Sequence, residues 1–139
     1  AGTDARKDAK LTAVLPFVYV GLGSMLGGLS RYAMTLLTQN YAALSLPFGT
    51  LLSNIIGCLL IGVIAGIGAS SQALSTEMRL LLATGFCGGF TTMSSFIYEL
   101  GQLVQDQEYF YASTYFAATL AGAGIAFVLG LFLSAWLMR

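Results

Sequence analysis

Long apolar stretches separated by short polar segments form the pattern of this chain. Four intervals carry no charged residue, and they contain 20, 45, 19 and 30 residues, at 11–30, 32–76, 80–98 and 109–138. A helix crosses the roughly 30 Å apolar core of a bilayer with about 20 mainly apolar residues. The 45-residue interval holds two such helices, because the polar run 38–41 divides it and Pro47 suits a first helical turn.

The pattern therefore predicts four membrane-spanning helices over 11–37, 48–69, 78–103 and 109–137, with polar loops at 70–77 and 105–108. Helices are expected because lipid offers no partner for an open backbone, and because the sequence lacks the ten-residue alternating segments of a β-barrel. Thr76 is the expected N-cap of the third helix. The predicted fold class is an all-α integral membrane protein with one four-helix transmembrane domain over 11–139.

The first ten residues differ from everything that follows. Residues 1–10 hold five of the twelve charged residues, so we expect a disordered tail that takes no part in the fold. The chain begins without a methionine, and the sequence leaves open whether this tail is native.

Composition narrows the class of protein further. Hydrophobic residues make up 57% of the chain and charged residues 9%, against about 25% charged residues in soluble domains. There is no His, and Cys58 and Cys87 fall in apolar spans, which leaves too few ligands for a transition-metal site or a disulfide scaffold. No nucleophile, base and orienting group can be assembled, so we do not expect an enzyme. The expected partners do not include a nucleic acid.

The charges at the ends of the helices indicate an orientation. Lys and Arg residues lie at the N-terminus, beside the loop at 70–77 (Arg79) and at the C-terminus. The loops on the opposite side carry only Asp106 and Glu108. The positive-inside rule therefore places both termini in the cytoplasm. If residues 1–10 are left out and Arg31 is counted on the opposite side, two basic residues lie on the side of the termini and one on the other. This difference does not fix a single orientation.

Glycines recur at helical spacing in three of the predicted spans. The pairs are Gly23 and Gly27, Gly62 and Gly66, and Gly85 and Gly89. Small residues four positions apart let helix backbones approach closely in lipid, so we interpret these pairs mainly as packing sites. Four short helices make poor walls for a pore, so a homo-oligomer is expected.

The middle of the third span has a composition that a plain helix does not need. Three glycines and four hydroxyl residues crowd into 85–96. This combination indicates a helix break, which at membrane depth occurs where it is buried in protein or faces water. Freed carbonyls would suit a cation such as Na⁺, and freed N–H groups attract anions. The alternative is a packed kink whose Ser and Thr side chains bond back to their own helix.

The other polar groups inside the spans are neutral. Asn54 is the strongest one in the second span, and Tyr115 and Thr119 share a face of the fourth. The central parts of all four spans lack Asp, Glu, Lys, Arg and His, which argues against proton coupling. Neutral donors, together with the electropositive ring edge of Phe96, suit a small anion that sheds its water.

Three segments resemble the Fluc (CrcB) family of fluoride channels. They are GGLSRY at 27–32, GTLLSN at 49–54 and GFCGGFTT at 85–92, the last followed by Ser94 and Phe96. The resemblance implies a small four-helix protein that assembles as an antiparallel, dual-topology homodimer with two fluoride pores and a central Na⁺. It also implies passive export of fluoride across the plasma (inner) membrane of a prokaryote. Pairing with an oppositely inserted homologue instead of a second copy stays open.

The resemblance also implies roles for individual residues. The expected fluoride pore is lined by Asn54, Met93, Ser94, Ser95, Phe96, Tyr115 and Thr119. The backbone carbonyls of Gly88 and Thr91 would bind the structural Na⁺. Arg31 would lie in the vestibule, and Glu99 matches a family glutamate. Met93 departs from the family pattern, which has a phenylalanine there, and we expect it to line the pore as a flexible apolar wall.

Two other functions remain. A small multidrug exporter would share the size and the helix count, but that mechanism relies on a glutamate in the first helix, where this chain has only Arg31. A non-transporting assembly subunit would account for the glycines. It would leave Asn54 and the predicted break without a purpose.

Overall fold

The computed structural model describes residues 2–40, 46–70 and 72–139, and these ranges are almost entirely helical. The helices are α1 (Gly2–Gln39), α2 (Phe48–Ser70), α3 (Thr76–Arg79), α4 (Gly88–Phe90), α5 (Met93–Gln105) and α6 (Tyr109–Leu137), with a π-helical stretch, Leu80–Cys87, between α3 and α4. Four helical segments are long and apolar enough to cross a membrane: Asp4–Gln39, Phe48–Ser70, Thr76–Gln105 and Tyr109–Leu137. This confirms the predicted all-α protein with four spans. Tyr41, the last residue of the predicted polar divider, lies outside the described residues.

The first helix begins much earlier than the sequence predicts. α1 starts at Gly2 and includes the residues expected to form a disordered tail. Local preference accounts for this difference, because Ala, Arg and Lys are good helix formers and the Asp4 carboxylate suits the positive end of the helix dipole. The Thr12 hydroxyl also donates to the Asp8 carbonyl at 2.8 Å. The side chains of 4–10 are all exposed, so this end is helical without being packed.

The third span is built from several helical pieces. Ser75 caps its start, since the Ser75 side chain accepts from the Met78 N–H at 3.2 Å, and the expectation that Thr76 is the cap is wrong. The π-helical stretch then leads into α4. Thr91 and Thr92 adopt extended backbone angles, with ψ of 154° and 123°, before α5 begins. The chain therefore leaves the helical path for two residues between α4 and α5.

Glycines bring the closest helix pairs together. Gly27 lies so near the Phe86 carbonyl that a Cβ would overlap it, and Gly89 is pressed in the same way against Ser24. α1 therefore lies directly against the first half of the third span. α2 meets α6 in a similar contact at Gly62. The predicted use of the glycine pairs as packing sites is confirmed.

Many large apolar side chains point away from the described fold. A small buried cluster lies where α2, α5 and α6 meet, and it consists of Leu51, Phe96, Leu103, Ala112 and Tyr115. In contrast, Phe110 is 77% exposed and Trp136 is 70% exposed. An apolar surface of this kind suits contact with lipid or with another membrane protein.

Candidate functional site

The extended segment between α4 and α5 is held by a side chain from α2. The Thr92 N–H donates to Asn54 Oδ1 at 2.8 Å, and Asn54 Nδ2 donates to the Thr92 carbonyl at 3.1 Å. The buried Asn54 side chain thus pairs with the Thr92 backbone as a second peptide group would. In a continuous helix the Thr92 N–H would bond to the Gly88 carbonyl, so this pairing leaves that carbonyl without its helical partner.

The hydroxyl groups of this segment bond mainly to its own backbone and to each other. Thr91 Oγ1 donates to the Cys87 carbonyl at 2.9 Å, one turn back. Thr92 Oγ1 accepts from the Ser95 N–H at 3.3 Å and so caps α5, and it also lies 3.1 Å from Ser94 Oγ. These are the bonds that the kink alternative predicts. The backbone nevertheless leaves the helix at Thr91 and Thr92.

A cleft of about 400 Å³ opens beside the extended segment, with walls from α2, the third span and α6. Six of the residues predicted for the pore or for the Na⁺ site line it: Asn54, Gly88, Thr91, Met93, Phe96 and Thr119. None of the described residues that line the cleft carries a charge. The structure therefore gathers most of the predicted site in one uncharged space.

Three side chains give the cleft its chemistry. Asn54 Nδ2 has a second hydrogen beyond the one bonded to the Thr92 carbonyl. Thr119 is 4% exposed, and its Oγ1 has no hydrogen-bond partner among the described residues, which marks it as a candidate ligand group. Phe96 is buried, and its ring packs on Tyr115 with 5.1 Å between the ring centroids. The cleft thus offers an amide donor, a hydroxyl and a fixed aromatic ring.

Four further predicted residues lie outside the lining of the cleft: Arg31, Ser94, Ser95 and Tyr115. The hydroxyls of Ser94 and Ser95 contact Thr92 Oγ1, at 3.1 and 3.3 Å. Arg31 is half-buried on α1, and its Nε donates to the Gly89 carbonyl at 3.2 Å. The vestibule position expected for Arg31 stays a prediction.

A partly buried carboxylate lies next to the cleft wall. Glu99 Oε2 accepts from the Tyr115 hydroxyl at 2.7 Å, and Glu99 Oε1 accepts from Thr50 Oγ1 at 2.8 Å. Tyr115, which is expected in the pore, is fully buried behind Phe96 instead of lining the cleft. Thr50 is part of the segment GTLLSN, but sequence reasoning gave it no role of its own. The signal that could have found it is its spacing, since Thr50 lies one helical turn before Asn54.

A second, smaller cleft of about 140 Å³ reaches the same carboxylate. Its described lining includes Glu99, Thr50 and two hydroxyl residues near the end of α1, Thr35 and Thr38. Because Tyr115 bonds to Glu99 and packs on Phe96, a continuous chain of contacts joins the two clefts.

A cation at this site would have to bind backbone oxygens. Within 2–40, 46–70 and 72–139, no three His, Cys, Asp or Glu side chains lie close enough together to hold a metal. Gly88 and Thr91 line the larger cleft, and Gly88 has open space around its Cα. Their carbonyls are hard oxygen ligands of the kind that Na⁺ prefers, and the Gly88 carbonyl has lost its helical donor. The donor set fits Na⁺.

Comparison with known proteins gives a match to one family. The family model described as "CrcB-like protein, Camphor Resistance (CrcB)" matches residues 18–131. This range contains every residue that lines the two clefts.

Curated relatives cover most of the chain. A protein of Prosthecochloris aestuarii, named fluoride-specific ion channel FluC, is 44% identical over 83% of this chain and 89% of its own length. Proteins of the same name from Chlorobium phaeobacteroides (strain BS1) and Chlorobaculum tepidum are 43% and 47% identical, over 81% and 74% of this chain and 87% and 81% of their own lengths. Because the family model and these relatives extend over most of its length, this chain belongs to the CrcB family, as its motifs predict.

Proposed function

We propose that this protein is a fluoride-selective channel in the plasma (inner) membrane of a prokaryote. The observation that carries the proposal is the larger cleft, where Asn54, Phe96 and Thr119 meet beside the extended segment with no charged residue in the lining. Bacterial relatives named fluoride-specific ion channels support fluoride as the ion. Ion channels are not enzymes, and these relatives confirm that expectation for the chain.

Neutral donors would select the anion in the larger cleft. Asn54 offers the second hydrogen of its Nδ2, Thr119 offers a hydroxyl that lacks a partner among the described residues, and Phe96 offers its ring edge. A small anion that has shed water needs fixed donors of this kind. Binding by neutral groups also stays weak enough for the ion to leave again. Met93 would line the same space as a flexible apolar wall.

The route would continue along the hydroxyl groups around Glu99. Tyr115 and Thr50 each donate their single hydroxyl hydrogen to one oxygen of the Glu99 carboxylate, so either hydroxyl would turn away from Glu99 to donate to a passing fluoride. The smaller cleft at Thr50 and Glu99 supports an exit there. Ser94 is exposed and Ser95 half-buried next to the extended segment, where their hydroxyls would extend the polar lining.

A structural Na⁺ would be held at the interruption of the third span by the Gly88 and Thr91 carbonyls. When bound, the ion supplies a fixed positive charge that ties these carbonyls together. Asn54 supports this assignment, because it takes up the Thr92 N–H that would otherwise bond to Gly88. The side chain of Asn54 thereby keeps a backbone oxygen available for a hard cation.

Two copies in opposite orientations would complete the pore, with the interruption near the middle of the membrane. Met93 supports a second copy, since it lines the cleft and is nevertheless 65% exposed in a single chain. The weak charge bias of the loops supports insertion in both directions. Such a homodimer would have two pores, and fluoride would leave the cytoplasm passively, down its own gradient.

Ion flux from liposomes tests the proposal. Purified wild-type protein should release fluoride, measured with an electrode, while parallel vesicles retain chloride. Asn54→Asp keeps an acceptor for the Thr92 N–H but removes both amide donors and adds a negative charge, so we expect fluoride efflux to fall at least about a hundredfold. Ser53→Ala is the matched control, because Ser53 is a buried polar neighbour of Asn54 on α2 that does not line the larger cleft.

Two results would contradict the proposed function. Wild-type vesicles that hold back fluoride, or that release chloride equally fast, would exclude a fluoride-selective channel. Normal efflux from Asn54→Asp would remove Asn54 from the conducting site, while leaving the rest of the pathway to be judged on Phe96 and Thr119.

A further inference from the structure

One carbonyl at the end of α4 is satisfied by a side chain from α1. Arg31 Nε donates to the Gly89 carbonyl at 3.2 Å, across 58 positions of sequence. In a continuous helix the Met93 N–H would bond to that carbonyl, but Met93 is the first residue of α5 and follows two extended residues. Arg31 therefore takes the place of a missing backbone donor.

The two glycines at this point face in opposite directions. Gly88 lines the cleft and has open space around its Cα. Gly89 packs on α1, where a Cβ would meet the Ser24 carbonyl. Gly27, one turn before Arg31, is pressed against the backbone of the same turn of the third span. α1 thus holds this turn from the side away from the cleft, and a shift of Gly89 would carry Gly88 with it.

We propose that Arg31 is a positioning residue that fixes the short helix α4 at Gly89, and through it the Gly88 and Thr91 carbonyls that would hold Na⁺. This assignment rests on the proposed function, and it differs from the vestibule role that the family resemblance implies. Asn54 acts in a comparable way from α2, where it pairs with Thr92. The interruption is held from both sides by side chains that replace backbone hydrogen bonds.

Two substitutions distinguish positioning from charge. Arg31→Gln places Nε2 the same number of bonds from Cα as the arginine Nε, so it keeps an N–H donor for the Gly89 carbonyl and loses the charge. Arg31→Lys keeps the charge but has a methylene group where the arginine has Nε. If Arg31 acts by bonding to the Gly89 carbonyl, the function should survive in Arg31→Gln but not in Arg31→Lys. If Arg31 acts by its positive charge in the vestibule, the reverse is expected.

Fluoride efflux from liposomes and the Na⁺ dependence of the melting temperature (Tm) are the two measurements. For Arg31→Lys we expect efflux to be about tenfold slower, and about tenfold more Na⁺ to be needed for half of the rise in Tm, as the loss of one charge-assisted hydrogen bond implies. For Arg31→Gln, both quantities should stay within about threefold of the wild type.

Arg79 provides the matched control. Its Nη2 also donates to a backbone carbonyl, that of Gly68 at 3.1 Å, and neither residue lines the larger cleft. Arg79→Gln and Arg79→Lys should therefore leave efflux and the Na⁺ dependence of Tm unchanged. A loss in these variants equal to that of Arg31→Lys would overturn the proposal, because any Arg-to-carbonyl bond would then have the same effect.

Other results would also overturn it. Slow efflux in Arg31→Gln with normal efflux in Arg31→Lys would assign Arg31 to the vestibule, and wild-type behaviour of both would leave its hydrogen bond without consequence. A wild-type Tm that is indifferent to Na⁺ would overturn the role of Arg31 whether or not fluoride flows. A wild type that responds to Na⁺ but conducts no fluoride would defeat the proposed channel, and the Tm series would still decide the role of Arg31.

Discussion

The Asn54 side chain replaces backbone hydrogen bonds that the third span lacks at Thr92. Its amide accepts from the Thr92 N–H and donates to the Thr92 carbonyl, at 2.8 and 3.1 Å. Its place as the strongest polar group in an apolar span drew attention to Asn54, and the family resemblance implied its place in the pore. The pairing with Thr92 was not predictable, because the two residues are 38 positions apart and only the packing of α2 on the third span decides which groups meet.

Phe96 and Met93 both line the larger cleft but are held very differently. Phe96 is 2% exposed and packs on Tyr115, whereas Met93 is 65% exposed. We expect Phe96→Ile to lose fluoride efflux from liposomes, because it removes the ring edge that would face the anion in the proposed pore. Met93→Phe should keep the efflux, since the exposed position has room for a ring. Indifference to both changes would contradict the role assigned to this pair.

Folding has to be separated from conduction in this experiment. Phe96→Ile also leaves space beside Tyr115, so its Tm and its elution volume in detergent are compared with those of the wild type. Phe110→Ile is the control for loss of a ring at an exposed site, since Phe110 is 77% exposed on α6. Normal efflux from a folded Phe96→Ile protein would exclude the ring edge as a fluoride contact.

We expect the two hydroxyl groups that donate to Glu99 to stabilise the folded protein. Thr50→Val removes the donor to Oε1, and Tyr115→Phe removes the donor to Oε2. A partly buried carboxylate oxygen that loses its donor costs about 1–3 kcal/mol, so we expect each change to lower Tm by about 3–10 °C. Thermal unfolding in detergent measures the effect, with Thr114→Val as the control because Thr114 is exposed on α6. Equal Tm values in all three variants would show that this cluster does not stabilise the fold.

The third span shows how far a sequence pattern can describe a helix. Glycines and hydroxyls at 85–96 predict an irregular backbone, and the angles at Thr91 and Thr92 are extended. The pattern does not predict which hydroxyl faces the cleft, because Thr91 and Thr92 use theirs on nearby groups of their own segment. Charged residues at 1–10 likewise predict exposure but not the absence of helix, since local helix preference needs no packing partner.

Neighbouring glycines on α1 should respond in opposite ways to substitution. A Cβ at Gly27 would overlap the Phe86 carbonyl, whereas a Cβ at Gly28 has open space around it. Alanine favours helix over glycine by about 0.8–1 kcal/mol, so Gly28→Ala should leave Tm unchanged or raise it slightly. Gly27→Ala should lower Tm and slow fluoride efflux, because α1 can no longer lie against the first half of the third span. The same Tm in both variants would contradict close packing at Gly27.

The outer surface explains why the pattern of residues predicts four spans, whereas the antiparallel dimer is implied only by the family resemblance. Each span has to be apolar over a fixed length, and that requirement is visible in the pattern of residues. Exposed apolar side chains such as Trp136, at 70% exposure, look the same whether they face lipid or a second copy. Outside residues 1–10, two Arg residues lie on the side of the termini and one on the opposite side, so the basic residues favour neither orientation strongly. Orientation is therefore the property that best tests the proposed pair.

Added lysines should force every copy into one orientation. Ala9→Lys with Gln72→Lys strengthens the positive charge on the side of the termini, and Asn40→Lys with Gln105→Lys strengthens it on the opposite side. All four positions are exposed. If the pore requires two copies in opposite orientations, neither set alone should conduct fluoride, because copies that insert the same way cannot form the pair.

Co-expression of the two sets should restore fluoride efflux, since each supplies the orientation that the other lacks. Serine at the same four positions leaves the charge unchanged, so that control should conduct as the wild type does. Accessibility of tags on both termini reports the orientation of each set directly. Full efflux from one set, with its tags confined to one side of the membrane, would exclude the antiparallel pair. Absence of efflux from the mixture, with both sets folded and oppositely inserted, would exclude it as well, because the required partners would then be present without forming a pore.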